Sequence, residues 1–331
     1  MEKEKYLDIY FDKNYGKLYE NIEKGKVKIF EYEDENGKIS NQFIIREIPI
    51  KVDKNSYFDI ITPYGYGGPI IEYCKGNKER LLKNYEKAFR EYCMKNRIVS
   101  EFIRFHPILN NAKDFADIYM VKNIRKTLGT NLKEFEDPVK IEFTKSCRKN
   151  IRQGLNKGIT YKVTKAPDDI YKFKDIYYST MDRNHATEYY YFGDEYFKNI
   201  LKYFKNNILL VEAIYEQKTI ACGLYFIYNK MIHIHLSGTL SEYLYLSPAY
   251  ILRYAVTIWG KENGYEMIHH GGGRSNSEED SLYKFKKGFA KNTQFDFYVG
   301  KKIWNQEIYD KLCEYKGIGN DDDFFPAYRK V

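Results

Sequence analysis

The stretch from Ile208 to Tyr265 and on to His270 constrains this chain more tightly than any other. Three apolar runs, ILLVEAIY (208–215), TIACGLYFIY (219–228) and MIHIHLSGT (231–239), follow one another across gaps of three and two residues. Gaps that short close only antiparallel hairpins, so the three runs read as a meander. The next segment breaks the pattern. Ser247 reads as an N-cap, Pro248 sits in a first helical turn, and Gly264 lies just past the end of a long apolar-periodic helix. YEMIHH (265–270) then reads as a strand. A meander, a crossover helix and a further strand give an α/β fold with a mixed sheet.

The rest of the chain fits around that unit. NQFIIREIPI (41–50), YFDII (57–61), IVSEFIRF (98–105), DIYMV (117–121) and VKIEF (139–143) read as strands. Leu81, Leu82, Tyr85, Ala88, Phe89, Tyr92 and Cys93 share one face of a helix over 78–96. The polar residues 1–40 show only a turn at Glu35-Asn36-Gly37. A second unit opens at Thr144, an N-cap for a helix with Cys147, Ile151 and Leu155 on one edge and Lys145, Arg148, Lys149 and Arg152 on the other; Gly158 stops it. ITYKVT (159–164) reads as a strand, helices follow over 168–183 and 194–205, a short one over 281–287, a last strand over 294–299 and a terminal helix over 303–315. In coarse order, 57–61, 78–96 and 98–105 echo 231–239, 247–263 and 265–270. The division expected is therefore 1–143, 144–300 and a tail of 301–331.

Composition sets outer limits. The chain has 331 residues and a net charge of +8, from 54 basic and 46 acidic side chains, a mild bias toward an anionic partner. Its 34 Tyr and 21 Phe match the codon usage of an AT-rich genome, so a tyrosine alone is no argument for a stacking platform. Cys74, Cys93, Cys147, Cys222 and Cys313 are scattered without a CxxC, as free thiols in a reducing compartment would be. MEKEKYLDIY has no apolar core for a signal peptide, and no run of 18 apolar residues occurs. A cytoplasmic location is expected, and a peripheral contact with the inner membrane face stays open.

One stretch asks for chemistry. HHGGGRSNSEEDSLYKFKKGF (269–289) places three consecutive glycines before an acidic loop and a basic aromatic segment. The amides of Gly271, Gly272 and Gly273 are candidates to meet a phosphate or a carbonyl, with Arg274 as a phosphate contact. His233 and His235 share a strand face and His269 and His270 are adjacent, but no Cys or carboxylate accompanies them at ligand spacing, so no metal is expected. His235 and His270 are candidate proton acceptors. No Walker loop, Ser-His-Asp order or dinucleotide fingerprint occurs.

TPYGYGGP (62–69), KSCRKNIRQGLNKGITYKV (145–163) and the glycine loop with LYKFKKGF (282–289) together resemble the Fem family, within the acyltransferase superfamily of the general N-acetyltransferase (GNAT) type. The resemblance implies two tandem GNAT-like domains, the first on the acceptor side and the second on the donor side. It implies transfer of an amino acid from aminoacyl-tRNA to an amine on a lipid- or nucleotide-linked peptidoglycan precursor, without a cofactor. It puts Lys286 at the oxyanion or the tRNA phosphate, with Phe285 packing the terminal adenosine or aminoacyl group and Tyr283 beside them on the donor side. Tyr64, Gly65, Tyr66 and Gly67 would line the acceptor groove, and Arg183 would meet the acceptor's phosphates. His106-Pro107 stands where Fem-like chains often carry Asp-Pro. The alternative is an N-acyltransferase that takes its acyl group from acyl-CoA or an acyl carrier and modifies an amino sugar of a surface polysaccharide. Against it, the segment after the third meander strand, LSEYLYLSPA (240–249), lacks the glycines of a pyrophosphate loop.

Overall fold

The computed structural model describes residues 7–319 and 324–330. The N-terminal decapeptide weighed as a leader lies partly outside them. The strands and helices run β1 (Gly25–Asp34), β2 (Gly37–Glu47), β3 (Phe58–Ile61), β4 (Ile70–Cys74), α1 (Lys78–Lys95), β5 (Ile98–Arg104), β6 (Met120–Asn131), α2 (Pro138–Glu142), α3 (Lys145–Asn156), β7 (Thr160–Lys165), α4 (Tyr171–Arg183) and α5 (Asp194–Phe204). They continue as β8 (Ile208–Tyr215), β9 (Lys218–Tyr228), β10 (Met231–Thr239), α6 (Pro248–Glu262), β11 (Met267–Gly271), α7 (Ser281–Lys287), β12 (Thr293–Ile303) and α8 (Gln306–Lys316). No helix among the described residues is long and apolar enough to cross a membrane.

Two compact units emerge, and each draws on two stretches of chain. One holds residues 125–295 with the N-terminal residues through Ile9; the other holds 10–124 and 296–331. The chain passes between them at 9/10, 124/125 and 295/296, whereas the sequence suggested 143/144 and 300/301.

In the 125–295 unit the strand order is β6-β11-β10-β9-β8-β7. β7 to β10 pair antiparallel, as the short gaps require, while β10 and β11 pair parallel through the α6 crossover. α6 and α3 cover one face, with Ile251, Leu252, Ala255 and Val256 packed against Tyr225, Ile227, Ile232 and Ile268. Close helix contact leaves no room at Gly154, where a Cβ would stand 3.1 Å from Ile251. Asp8 closes the opposite end of the sequence onto this sheet, its buried carboxylate 2.8 Å from His233 Nε2.

In the 10–124 unit the order is β1-β2-β3-β5-β12, with β4 on β2. β3 and β5 pair parallel around α1, the same strand–helix–strand device as β10–α6–β11. Leu81, Tyr85, Phe89 and Cys93 of α1 pack with Phe43, Ile60, Ile103 and Trp304. α8 contributes Ile308, Tyr309, Leu312 and Cys313 to a second cluster with Val99 and Tyr328.

Four local expectations need correction. VKIEF is not a strand: Asp137 caps Lys140 N at 2.9 Å, Pro138 starts a helical turn, and the strand-like apolar pattern belongs to α2. DIYMV is a strand only from Met120, and that strand runs on to Asn131. Residues 25–34 form β1, whose half-exposed pattern hid it in a polar region. Ser247 adopts a left-handed conformation with no side-chain cap bond, because a 3₁₀ turn over Ser241–Leu246 delivers the chain to Pro248 from an unexpected direction. Cys74 is exposed and the other four cysteines are buried, all as free thiols.

Glu101 lies fully buried in the core of the 10–124 unit. Its carboxylate accepts Asn41 Nδ2 at 2.8 Å and Trp304 Nε1 at 3.1 Å. Burial outweighs these bonds and pushes its pKa up to about 7. The folded state therefore holds a proton that the unfolded chain releases from pH 4.5 upward. Stability is greatest below that value and falls as pH rises to about 7, by roughly 3 kcal/mol at about 1.4 kcal/mol per unit. Glu101→Gln should abolish that fall, since Gln carries no charge and can donate to Asn41 Oδ1, which makes no hydrogen bond of ordinary geometry among the described residues. Urea midpoints measured from pH 4 to 8 check it: parallel curves for the two proteins would refute the assignment.

Candidate active site

The glycine loop begins where β11 leaves the sheet. Gly271 has φ +71°, a region that only glycine enters freely, just past a register shift between β11 and β6. The next two glycines answer to close approach instead. A Cβ on Gly272 would stand 3.1 Å from Arg125 Cδ, and one on Gly273 2.7 Å from Asp280 Oδ1. Asp280 organises the turn: its carboxylate accepts Tyr283 N at 2.8 Å, capping α7, and Arg274 N and Ser275 N at 3.1 Å. These contacts hold its pKa below the usual carboxylate value.

The loop's carbonyls, as well as its amides, shape the site. Lys286 Nζ donates to Gly272 O at 2.6 Å and Arg125 Nη1 to Gly273 O at 2.7 Å. Lys286 projects from α7 half-buried, with Arg253 and Arg125 close enough to act on its charge. Burial first, then those two guanidiniums, lower its pKa to about 7, against the pull of Asp280. Near neutral pH this lysine stands between ammonium and amine, ready to gain a proton when negative charge arrives.

Under it lies His270. Thr130 Oγ1 donates to Phe289 O at 2.7 Å, so at 2.7 Å from His270 Nε2 it must accept. The imidazole therefore carries its proton on Nε2 and presents a lone pair at Nδ1, which has no partner. Burial, Arg253 and Lys286 keep it neutral, with a pKa well below the ordinary histidine value. Phe285 meets Tyr250 edge-on at 5.3 Å and Phe289 at 5.1 Å, so it walls the site by packing. Tyr283 is buried beside Leu128 and Ala290 and supports the loop, while the Arg274 side is exposed.

Lys286, Phe285, Gly271, Gly272, Gly273, Arg274 and Tyr283 thus fall together in the 125–295 unit. Arg183 is in the same unit but at the end of α4, where it donates to Thr239 O at 2.8 Å and Ser241 Oγ at 3.0 Å. The acceptor-side candidates gather in the 10–124 unit. Gly65 has φ +98° and lies against Tyr10; the Tyr64 carbonyl accepts Tyr15 OH at 2.8 Å. Tyr66 lies 5.8 Å from the His106 ring and 5.2 Å from Phe297. Gly67 N donates to Arg104 O at 2.7 Å, and its carbonyl accepts Asn111 Nδ2. His106 is buried, and its Nδ1 accepts Leu109 N at 3.1 Å. The residues that sequence reasoning passed over are Arg125, Thr130 and Arg253. Only Arg253 left a trace, as a charge inside the apolar repeat PAYILRYAVTIWG.

A parallel strand–helix–strand crossover appended to a meander, with a cationic loop past the last strand, defines a GNAT-type acyltransferase fold. Residues 143–287 match the family described as an acetyltransferase (GNAT) domain. The chain is 26% identical over 140 residues to the UDP-N-acetylmuramoylpentapeptide-lysine N(6)-alanyltransferase of Weissella viridescens. That match takes in 41% of this chain and 40% of the relative's length. The crystal structure of FemX superposes with a TM-score of 0.66 at 13% identity, over 90% of this chain and 92% of that one. L-PGS from Bacillus licheniformis gives 0.53 at 13% identity, over 96% and 99%. The resemblance to the Fem family read from the sequence holds, and the mixed-sheet Fem fold is the fold of this chain.

The lysine assignment can be measured directly. Competitive labelling with acetic anhydride, read peptide by peptide in a mass spectrometer, should show Lys286 half-reactive near pH 7, while exposed lysines reach that point near 10. A Lys286 midpoint with the exposed group would refute it.

Proposed function

We propose that the protein transfers an amino acid from aminoacyl-tRNA to an amine on the peptide of a peptidoglycan precursor, as in cell-wall bridge formation. The observation that carries the reading is the cationic loop around Lys286, set inside the stretch that matches an acyltransferase family. The named activity of the Weissella relative supports the acceptor class. The reaction joins the amine nitrogen to the ester carbonyl carbon, which passes through an oxyanion. The ester C–O bond then breaks, and the ribose oxygen leaves with the proton that the amine gives up. Lys286 would face that oxyanion or the donor's phosphate, and a proton drawn to its amine would strengthen the contact as charge develops. Tyr64, Gly65, Tyr66 and Gly67, with His106 behind Tyr66, would serve the acceptor, and Arg183 its phosphates. The reading places the enzyme in the cytoplasm, meeting a precursor held at the membrane's inner face.

The entry to α6 supports tRNA over coenzyme A. A pyrophosphate cradle needs free amides at that helix N-terminus. Here Pro248 has none, Ser247 N donates to Leu244 O at 2.9 Å, and Tyr250 N to Ser247 O at 3.1 Å.

Transfer of labelled Ala, Gly or Ser from charged tRNA to a muropeptide precursor should occur and be lost after RNase treatment. Lys286→Ala should keep the fold and lose about a hundredfold or more of the rate. Acetyl transfer from acetyl-CoA to an amino sugar, with no transfer from tRNA, would overturn the donor assignment. Unchanged kinetics in Lys286→Ala would remove that residue from the chemistry.

A further inference from the structure

Arg253 occupies a position that packing alone would give to an apolar side chain. Its neighbours on α6, Ile251, Leu252, Ala255 and Val256, fill the core of the 125–295 unit, and Arg253 is buried among them at 5% exposure. The strand register shows what lies beneath. Tyr225 on β9 pairs with Ile234 on β10, and His233 on β10 pairs with His269 on β11. His270 therefore continues the row Tyr225–Ile234 on the next strand. The guanidinium lies over the Tyr225 ring, 5.8 Å from its centre.

Among the described residues, three buried polar atoms of this set make no hydrogen bond of ordinary geometry: Arg253 Nη1, the Tyr225 hydroxyl, which is near enough to the guanidinium to act on it, and His270 Nδ1. Arg125 Nε, on the loop side of Lys286, is a fourth. The groups that feel Arg253's charge are Tyr225, His270 and Lys286, none of them an anion. Asp280, the acid that acts on Lys286, is committed to the backbone amides of Arg274, Ser275 and Tyr283. A buried guanidinium without a counter-charge among the described residues is costly, and a methionine of similar volume would serve the core better. Its retention beside a half-buried lysine at the mouth of the loop points to a ligand that brings the charge.

We propose that Arg253 is a phosphate-binding residue of the donor site, offering Nη1 to a phosphate oxygen beside Lys286. A guanidinium presents N–H groups in a planar fork that matches phosphate oxygens, which an ammonium cannot copy. The inference rests on the donor-side reading of this loop, and not on which donor it is: the 3′ end of a tRNA and coenzyme A both carry phosphate.

Binding without turnover tests it on the full chain. The probes are an RNA microhelix ending in CCA and acetyl-CoA, each titrated at one fixed ionic strength against wild type, Arg253→Met and Arg253→Lys. Arg253→Met should keep or raise the melting temperature and weaken one probe at least tenfold, with Arg253→Lys recovering part of the loss. A residue that merely supports the core would do the reverse, lowering the melting temperature and leaving the affinity of the folded protein unchanged, and that result overturns the proposal. Should Arg253→Met fail to fold, Arg253→Lys decides: a folded variant that binds both probes as wild type does is equally fatal. Wild type that binds neither probe also overturns it. A loss confined to acetyl-CoA upholds the phosphate role of Arg253 while the aminoacyl-tRNA reading falls.

Discussion

Everything at the candidate site depends on one parallel pairing, β10 with β11 across α6. A parallel neighbour can be reached only by a crossover, and the crossover helix must lie on the sheet. That forces the inner face of α6 over β9, β10 and β11, which is how Arg253 comes to stand above Tyr225 and near His270. It also makes β11 end at the same edge of the sheet where α6 begins, so the chain leaves through Gly271 into the loop that Lys286 holds. Open α/β sheets bind ligands at such strand ends for the same geometric reason.

The charges within this frame are arranged to be unequal. Four backbone and side-chain contacts settle Asp280 as a structural acid, and Thr130 settles the His270 tautomer. What is left over is positive: Arg253, Arg125 and Lys286. The Glu101 core of the other unit shows the opposite outcome. There a carboxyl surrounded by Asn41, Trp304 and tyrosines takes up a proton, because burial outweighs both its hydrogen bonds and the pull of Lys302, which is itself bound to Glu86. In both places the chain keeps polarity inside a core, but the first borders an exposed loop.

Much of this was legible in the residues. The meander and its crossover followed from gap lengths and a proline, and the echo of that order in 57–61, 78–96 and 98–105 is matched by the parallel pairing of β3 and β5. Lys286 was marked by its place in KFKKGF. Other features were invisible for physical reasons. β1 alternates half-exposed with exposed positions, so it has no apolar face to betray it. α2 is set by a cap and a proline, which a β-like run of Val, Ile and Phe outweighs on inspection. The glycines looked like a phosphate cradle, yet their partners are Arg125 and Asp280, which lie 147 and 7 residues away from Gly272 and Gly273 in sequence. Arg253 could be suspected from one charge in an apolar repeat, but its lack of a partner is a property of three strands brought together by register.

The interleaving of the two units bears on how the chain is made. Asp8 belongs to the unit whose sheet is otherwise assembled from residues 125–295, while β12 past Asp296 and α8 belong to the unit begun at Tyr10. During synthesis the 10–124 segment emerges early, yet it must wait for the stretch from Asp296 onward before Trp304 can fill the core beside Phe89. Unlike a string of autonomous domains, which fold one after another in the order they leave the ribosome, the unit whose larger stretch emerges first here is completed last. A cut at 124/125 would strip both units at once, parting Asp8 from the sheet that holds His233 and Trp304 from the core that holds Phe89.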